Sequence, residues 1–132
     1  MLVVDTSAVL EAVVARDPVP GLIARIADDG DLHAPHLIDT EVLHSLRAMN
    51  IHRQLSDERA SDARTDFADL ALVRYPHEAL NDRVWELRHN LTAYDATFVA
   101  LAEALDAPLV TCDARLAAAH GHHADIELFD VS

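Results

Sequence analysis

The sequence predicts an α/β domain with a mainly parallel sheet of about five strands. Three observations carry this. Short apolar runs, such as Leu2-Val-Val4, alternate along the chain with longer segments whose apolar residues recur every three or four positions. Strand-like and helix-like segments in alternation imply parallel pairing with right-handed crossovers. Two strand candidates end in an aspartate that opens the next helix, Asp5 and Asp113. At 132 residues, 51% of them apolar, the chain makes one domain, residues 1–132, with a sizeable core.

Each element has its own warrant. Leu2–Val4 is β-branched at two of three positions and fits a central strand. Thr6 and Ser7 then offer capping hydroxyls for a helix from Ala8 to about Ala15. Asp17-Pro-Val-Pro-Gly21 is a turn, followed by a helix to about Asp29. Residues 31–34 are a strand with a weak pattern. Pro35 introduces a helix from His36 to about Met49, with Leu37, Ile38, Val42, Leu46 and Met49 as its apolar stripe. Ser56-Asp-Glu58 starts a mostly polar helix, expected to lie exposed, that runs to about Asp69. Leu70–Tyr75 reads as a strand ended by Pro76. His77 to Arg88 is a helix with Leu80, Val84 and Leu87 inward and Trp85 beside them as a core residue. Thr92 stands as N-cap of the strongest helix, whose apolar face is Phe98, Leu101, Ala102 and Leu105. Pro108–Thr111 is a strand, Ala114–Ala119 a short helix, and Ile126–Phe129 the last strand.

Composition removes several function classes. The net charge is −13 and all ten basic residues are arginine. Without lysine there is no Schiff-base chemistry and no phosphate-binding lysine. An acidic chain does not attract nucleic acid by its overall field, so such a function needs a metal or a local arginine group to reverse the sign. No apolar run is long enough to span a bilayer, and Asp5 interrupts the early apolar run with no basic residue before it, unlike a signal peptide. The single cysteine, Cys112, excludes an internal disulfide and suits a reducing cytosol. A cytoplasmic protein is therefore expected.

The candidate chemistry lies in carboxylates. Asp95 heads the buried face of its helix, three before Phe98 and four before Val99, where an unpaired anion is costly. The ordinary reading is a first-turn acid favoured by the helix dipole. In a parallel sheet, however, every strand has its carboxyl end at one edge, which brings Asp5, Asp95 and Asp113 together. Glu41, four after Leu37 and three after Ile38, reaches the same edge; alone it reads as a solvated helix glutamate. Four such carboxylates repel one another, and a hard divalent cation reconciles them. Oxygen ligands favour Mg²⁺ or Mn²⁺ over zinc. Such an ion binds phosphate and activates water, which suits phosphodiester hydrolysis.

The pieces Val4-Asp5-Thr6-Ser7-Ala8, Glu41, Leu91-Thr-Ala-Tyr-Asp95-Ala and Leu109-Val-Thr-Cys-Asp113-Ala-Arg-Leu116 carry a resemblance. In their order and spacing the chain resembles PIN-domain proteins, and among these the VapC ribonuclease toxins of bacterial toxin–antitoxin pairs. The resemblance spans nearly the whole chain. It implies a three-layer α/β/α fold and a Mg²⁺- or Mn²⁺-dependent endoribonuclease acting on RNA such as tRNA or rRNA. It also implies a homodimer and a tightly bound VapB-type antitoxin. On this analogy Asp5 and Asp95 bind metal, and Glu41 and Asp113 complete the catalytic set directly or through water. Thr6, Ser7 and Thr111 orient waters or carboxylates. Arg88 and Arg115 are candidate RNA contacts, the plain alternative being surface arginines. The chain departs from the family in having an acidic, lysine-free surface.

Other candidates carry less. Cys112 reads as a small core residue rather than a nucleophile. His120, His122 and His123 flank Gly121 and read as a solvated loop. A receiver domain needs a lysine near its last strand, and a haloacid-dehalogenase-type phosphatase needs an aspartate where Ser7 stands. A metal-free ribonuclease using paired histidines finds no recognisable setting. The remaining alternative is a catalytically silent PIN-like module that binds RNA or a partner.

Overall fold

The structure is a computed structural model and describes residues 1–131. Five strands form one sheet: β1 (Leu2–Val4), β2 (Leu32–Pro35), β3 (Leu72–Tyr75), β4 (Leu109–Thr111) and β5 (Ile126–Leu128). Their order is β3-β2-β1-β4-β5 and every pairing is parallel. The central strands β1, β2 and β4 are buried throughout, as strands covered on both faces must be. The chain moves outward from β1 to β2 and β3, then returns to the other side of β1 for β4 and β5. That reversal opens a crevice at the carboxyl ends of β1 and β4, where ligands of such sheets bind.

Helices α1 (Thr6–Val14) and α2 (Leu22–Asp29) connect β1 to β2, and α3 (Leu37–Ile51) and α4 (Asp57–Asp69) connect β2 to β3. A 3-10 turn (Glu78–Leu80), α5 (Asn81–Glu86) and α6 (Ala93–Leu105) lead to β4, and α7 (Ala114–Ala117) leads to β5. Right-handed crossovers that travel in opposite directions across the sheet must lie on opposite faces. Accordingly α1, α3 and α4 pack together, while α6 lies against β1, β2 and β4 with α5 laid on it. The result is three layers.

Helix α6 is more enclosed than its periodicity predicts. All residues from Ala96 to Ala102 are buried, not one face alone. The sheet covers one side and α5 the other. Alanines at 96, 100 and 102 let the backbone approach closely. Thr97, inside this run, satisfies its hydroxyl by donating to the Ala93 carbonyl at 2.7 Å.

Three expectations change. The predicted helix from His77 to Arg88 divides into the 3-10 turn and the short α5. Trp85 is not a core residue: it is 67% exposed, because Leu80 and Leu87 already occupy the inward positions. The Arg88 guanidinium lies over its ring, 4.6 Å from the centroid, and donates to the Trp85 carbonyl at 2.9 Å. Helix α4 keeps a polar outer face, yet Ala63 and Phe67, one turn apart, are buried where it docks on α1.

Forked arginine pairs tie neighbouring elements together. Arg83 of α5 donates to both oxygens of Glu103 on α6, at 2.7 and 3.0 Å. Arg25 of α2 grips Glu127 of β5, and Arg74 of β3 grips Asp39 of α3. Bidentate geometry of this kind fixes orientation as well as charge. No helix among the described residues is long and apolar enough to cross a membrane.

Candidate active site

The crevice between β1 and β4 is built around Asp5. Its backbone is extended (φ −93°, ψ 175°) and its side chain, rather than Thr6 or Ser7, caps α1. One carboxylate oxygen, Oδ1, accepts from Ala8 N–H at 2.9 Å and from Ser7 Oγ at 2.7 Å. The other, Oδ2, accepts from Thr111 Oγ1 at 2.5 Å across the β1–β4 pairing. The hydroxyls of Ser7 and Thr111 are themselves aimed. Ser7 Oγ accepts from Cys112 N–H at 2.9 Å and Thr111 Oγ1 from Asp113 N–H at 3.0 Å. Each hydroxyl therefore directs its one proton at Asp5.

Asp5 is 6% exposed. Burial pushes its pKa up to about 6; the hydrogen bonds from Thr111, Ala8 and Ser7 oppose this, and the negative charge of Asp95 adds to it. Asp95 lies half-buried on the first turn of α6, which Thr92 caps by accepting from Asp95 N–H at 3.2 Å. Its pKa is also raised, first by burial and then by Asp113, while Arg115 pulls it back. Asp113 caps α7, accepting from the backbone N–H of Arg115 and Leu116. Asp95, Asp113 and Arg115 line one small cleft with Asn90 and Thr92.

Glu41 reaches the same edge from α3. Its Oε1 accepts from Thr6 Oγ1 at 2.6 Å, so the residue next to Asp5 in sequence anchors it. Glu41 and Thr6 also line a second cleft, with Tyr94 on its far wall. The four predicted acids thus share the carboxyl edge of the sheet, and Ser7, Thr6 and Thr111 contact carboxylates as expected. They do not form a tight cage. Among the described residues no three His, Cys, Asp or Glu side chains stand close enough together to hold one ion. Repulsion between bare carboxylates opposes closer approach.

This donor set fits a hard divalent cation. It offers oxygen only, and both Asp5 and Asp95 have raised pKa values, through burial first and the neighbouring carboxylates second, so a bound cation would favour their ionised forms. Arg115 stands beside the acids; Arg88 does not line their cleft and is engaged with Trp85. Cys112 is buried, and burial with the nearby charges of Asp5 and Glu11 pushes its thiol up to about 11, which leaves it no nucleophile at neutral pH. The three histidines lie in the loop after α7, where His123 meets Glu103 at the far end of α6.

Sequence reasoning missed the side chains of the second cleft: Tyr94 and the face of α3 carrying Thr40, His44 and Ser45. Their signal was present as a polar stripe at helical spacing around Glu41, beside the buried stripe Ile38, Val42 and Leu46.

Comparison with known proteins agrees with this fold. The PIN domain family model matches residues 2–121. Ribonuclease VapC1 of Mycobacterium tuberculosis is 42% identical over 127 residues, covering 96% of each chain. Among solved structures, VapBC2 from Rickettsia felis, bound to a DNA fragment from its promoter, superposes with a TM-score of 0.74 at 14% identity, covering 98% of each chain. VapC20 of Mycobacterium tuberculosis, a sarcin-ricin loop cleaving toxin, gives 0.64 at 19% identity over 89% of this chain and 94% of that one.

Proposed function

This chain belongs to the PIN-domain family, among its VapC ribonucleases, and from that premise we propose that it is a Mg²⁺- or Mn²⁺-dependent endoribonuclease, the toxin of a toxin–antitoxin pair. The observation that carries the reading is Asp5. A buried, repelled carboxylate at the switch point of a parallel sheet is held in place by two oriented hydroxyls and a backbone N–H. Capping α1 accounts for the contact with Ala8 N–H, but not for burying the charge within reach of Asp95.

In this reading Asp5 and Asp95 hold the ion, with Glu41 and Asp113 joining directly or through water. The bound ion supplies positive charge at the scissile phosphate and a water acidic enough to become a nucleophile. The chain's own residues do the rest. Ser7 and Thr111 fix the orientation of Asp5, Thr6 fixes Glu41, and the Thr92 cap fixes the first turn that carries Asp95. Arg115 offers positive charge to the RNA backbone beside Asp95 and Asp113. Attack by water on phosphorus breaks the bond to the ribose 3′ oxygen, leaving a 5′-phosphate and a 3′-hydroxyl.

The partner that accompanies this activity is a VapB-type antitoxin, a reading supported by the VapBC2 structure from Rickettsia felis. An arginine or lysine delivered by the antitoxin to the carboxylates would neutralise the site. An exposed loop of tRNA or rRNA is the substrate class, supported by the sarcin-ricin loop activity of VapC20 and by the readability of single-stranded bases. A homodimer is the expected assembly.

Incubation of total RNA with the purified protein, with Mg²⁺ and with EDTA, tests the reading through the chemistry of the new ends. Mg²⁺-dependent 5′-phosphates are expected. A 2′,3′-cyclic phosphate would refute it, because it signals attack by the ribose 2′-hydroxyl. Co-expression with the neighbouring small open reading frame should silence the activity; unchanged cleavage would remove the toxin–antitoxin assignment.

A further inference from the structure

We propose that the cleft between α3 and the start of α6 is a nucleobase subsite, which seats one unstacked base of single-stranded RNA beside the acidic edge. The inference rests on the nuclease reading above and adds to it a place where sequence is read. The cleft has a volume of about 430 Å³, which accommodates a base with its sugar.

Its lining has a consistent chemistry. Thr6 and Glu41 belong to the acidic edge itself, so a nucleotide in the cleft is continuous with a phosphate at the carboxylates. Tyr94 immediately precedes Asp95 and is 62% exposed, with its ring on the cleft. Thr40, His44 and Ser45 share one face of α3 at the spacing of a helical turn. None of the side chains of Thr40, His44, Ser45 and Tyr94 has a hydrogen-bond partner among the described residues. The other exposed aromatic side chain among the described residues, Trp85, has its ring covered by Arg88; Tyr94 has no such cover.

Charge decides which part of a nucleotide enters. The cleft holds no arginine, and Glu41 forms part of its wall, so a phosphate is disfavoured there. A neutral base is not. An aromatic ring supplies a stacking surface for any base. Two hydroxyls and an imidazole, each able to donate or accept, can meet a base edge. Tyr94 and the polar face of α3 are thus specificity residues placed next to the chemistry.

The test uses short single-stranded oligoribonucleotides in which one position at a time is abasic, bound to the full-length protein with Ca²⁺ in place of Mg²⁺. Loss of the base at one position should weaken binding roughly five- to a hundredfold, the range of a lost base–aromatic stack. Tyr94→Ala should bind the intact oligonucleotide as weakly as the wild type binds that abasic one, and Tyr94→Phe should retain the discrimination. In cleavage, Tyr94→Ala should keep its Mg²⁺ dependence while the base preference at one position beside the cut flattens. No abasic-sensitive position, or discrimination that survives Tyr94→Ala, overturns the proposal. So does a change in sedimentation of Tyr94→Ala, which makes the cleft a contact between two copies of the chain. A protein that discriminates bases but never cuts keeps this subsite and loses the nuclease reading; one that cuts without discriminating does the reverse.

Discussion

Asp5→Asn separates what Asp5 does for the fold from what it does for the site. The pKa of Asp5 stands near 6 in the folded protein against 3.8 in a free chain. The folded state therefore binds the proton more tightly than the unfolded state. The stability that follows is complete below pH 3.8 and is lost as pH rises through 6, because the anion must then be accommodated in a buried site. A shift of about two units corresponds to about 3 kcal/mol once Asp5 is fully ionised. Asparagine keeps the shape. Its amide oxygen can still accept from Ala8 N–H and Ser7 Oγ, and the Thr111 hydroxyl can rotate to accept from the amide nitrogen. In EDTA the variant should be the more stable protein, by about 1 kcal/mol at pH 4.5 and about 3 kcal/mol at pH 7.5. Saturating Mg²⁺ at pH 7.5 should stabilise wild type, by about 2.7 kcal/mol at a hundred times the dissociation constant, and should leave the variant nearly unmoved. Urea denaturation of both proteins at the two pH values, with EDTA and with Mg²⁺, measures every term. A variant less stable than wild type in EDTA at pH 7.5, or a gap that does not widen with pH, would refute the reasoning.

Further expectations use other contacts. Asp95→Asn should abolish cleavage and shrink the stabilisation by Mg²⁺; surviving cleavage with undiminished stabilisation would return Asp95 to the role of a first-turn helix acid. Thr6→Val removes the donor to Glu41 and should lower cleavage roughly ten- to a hundredfold, as loss of an orienting partner does, with a melting temperature close to wild type. Arg83→Ala leaves the Glu103 carboxylate, whose side chain is 5% exposed, with only its His123 contacts, and should cost about 2 kcal/mol in denaturant unfolding. Arg83 and Asn90 flank the same loop, but no acid of the site contacts Arg83, so the specific activity of the folded fraction should stay as in wild type.

Local sequence was enough to read the elements that carry strong periodicity or β-branched runs. Leu2–Val4, the helix capped by Thr92 and the Leu109–Thr111 strand stand where the pattern puts them. The acids were legible because a parallel sheet sends every strand end to one edge, a topological fact that needs no side-chain detail. What escaped depends on contacts between distant segments. The choice of Asp5 over Thr6 as the cap follows from Thr6 being drawn to Glu41, 35 positions away. The exposure of Trp85 follows from Leu80 and Leu87 filling the inward positions of that segment. The spacing of the acids depends on how β1, β4, α3 and α6 pack together, and no spacing in the sequence reports it. Tyr94 looked like an ordinary residue beside Asp95 because the other wall of its cleft comes from α3.

The enclosure of α6 has a consequence for how activity can fail. Its central amides, from Ala96 to Ala102, are sealed between sheet and α5, so they should exchange with solvent deuterium only when the whole domain opens. Asp95 rides on the first turn of that helix, and Asp5 and Asp113 are fixed to the two strands it covers or adjoins. Fraying of α2 or of the loop between α3 and α4 leaves those anchors untouched. Damage to this protein should therefore reduce the number of competent molecules rather than the competence of each. Inactivation by heat or denaturant should follow a single cooperative curve, with cleavage and deuterium protection of α6 lost at the same midpoint.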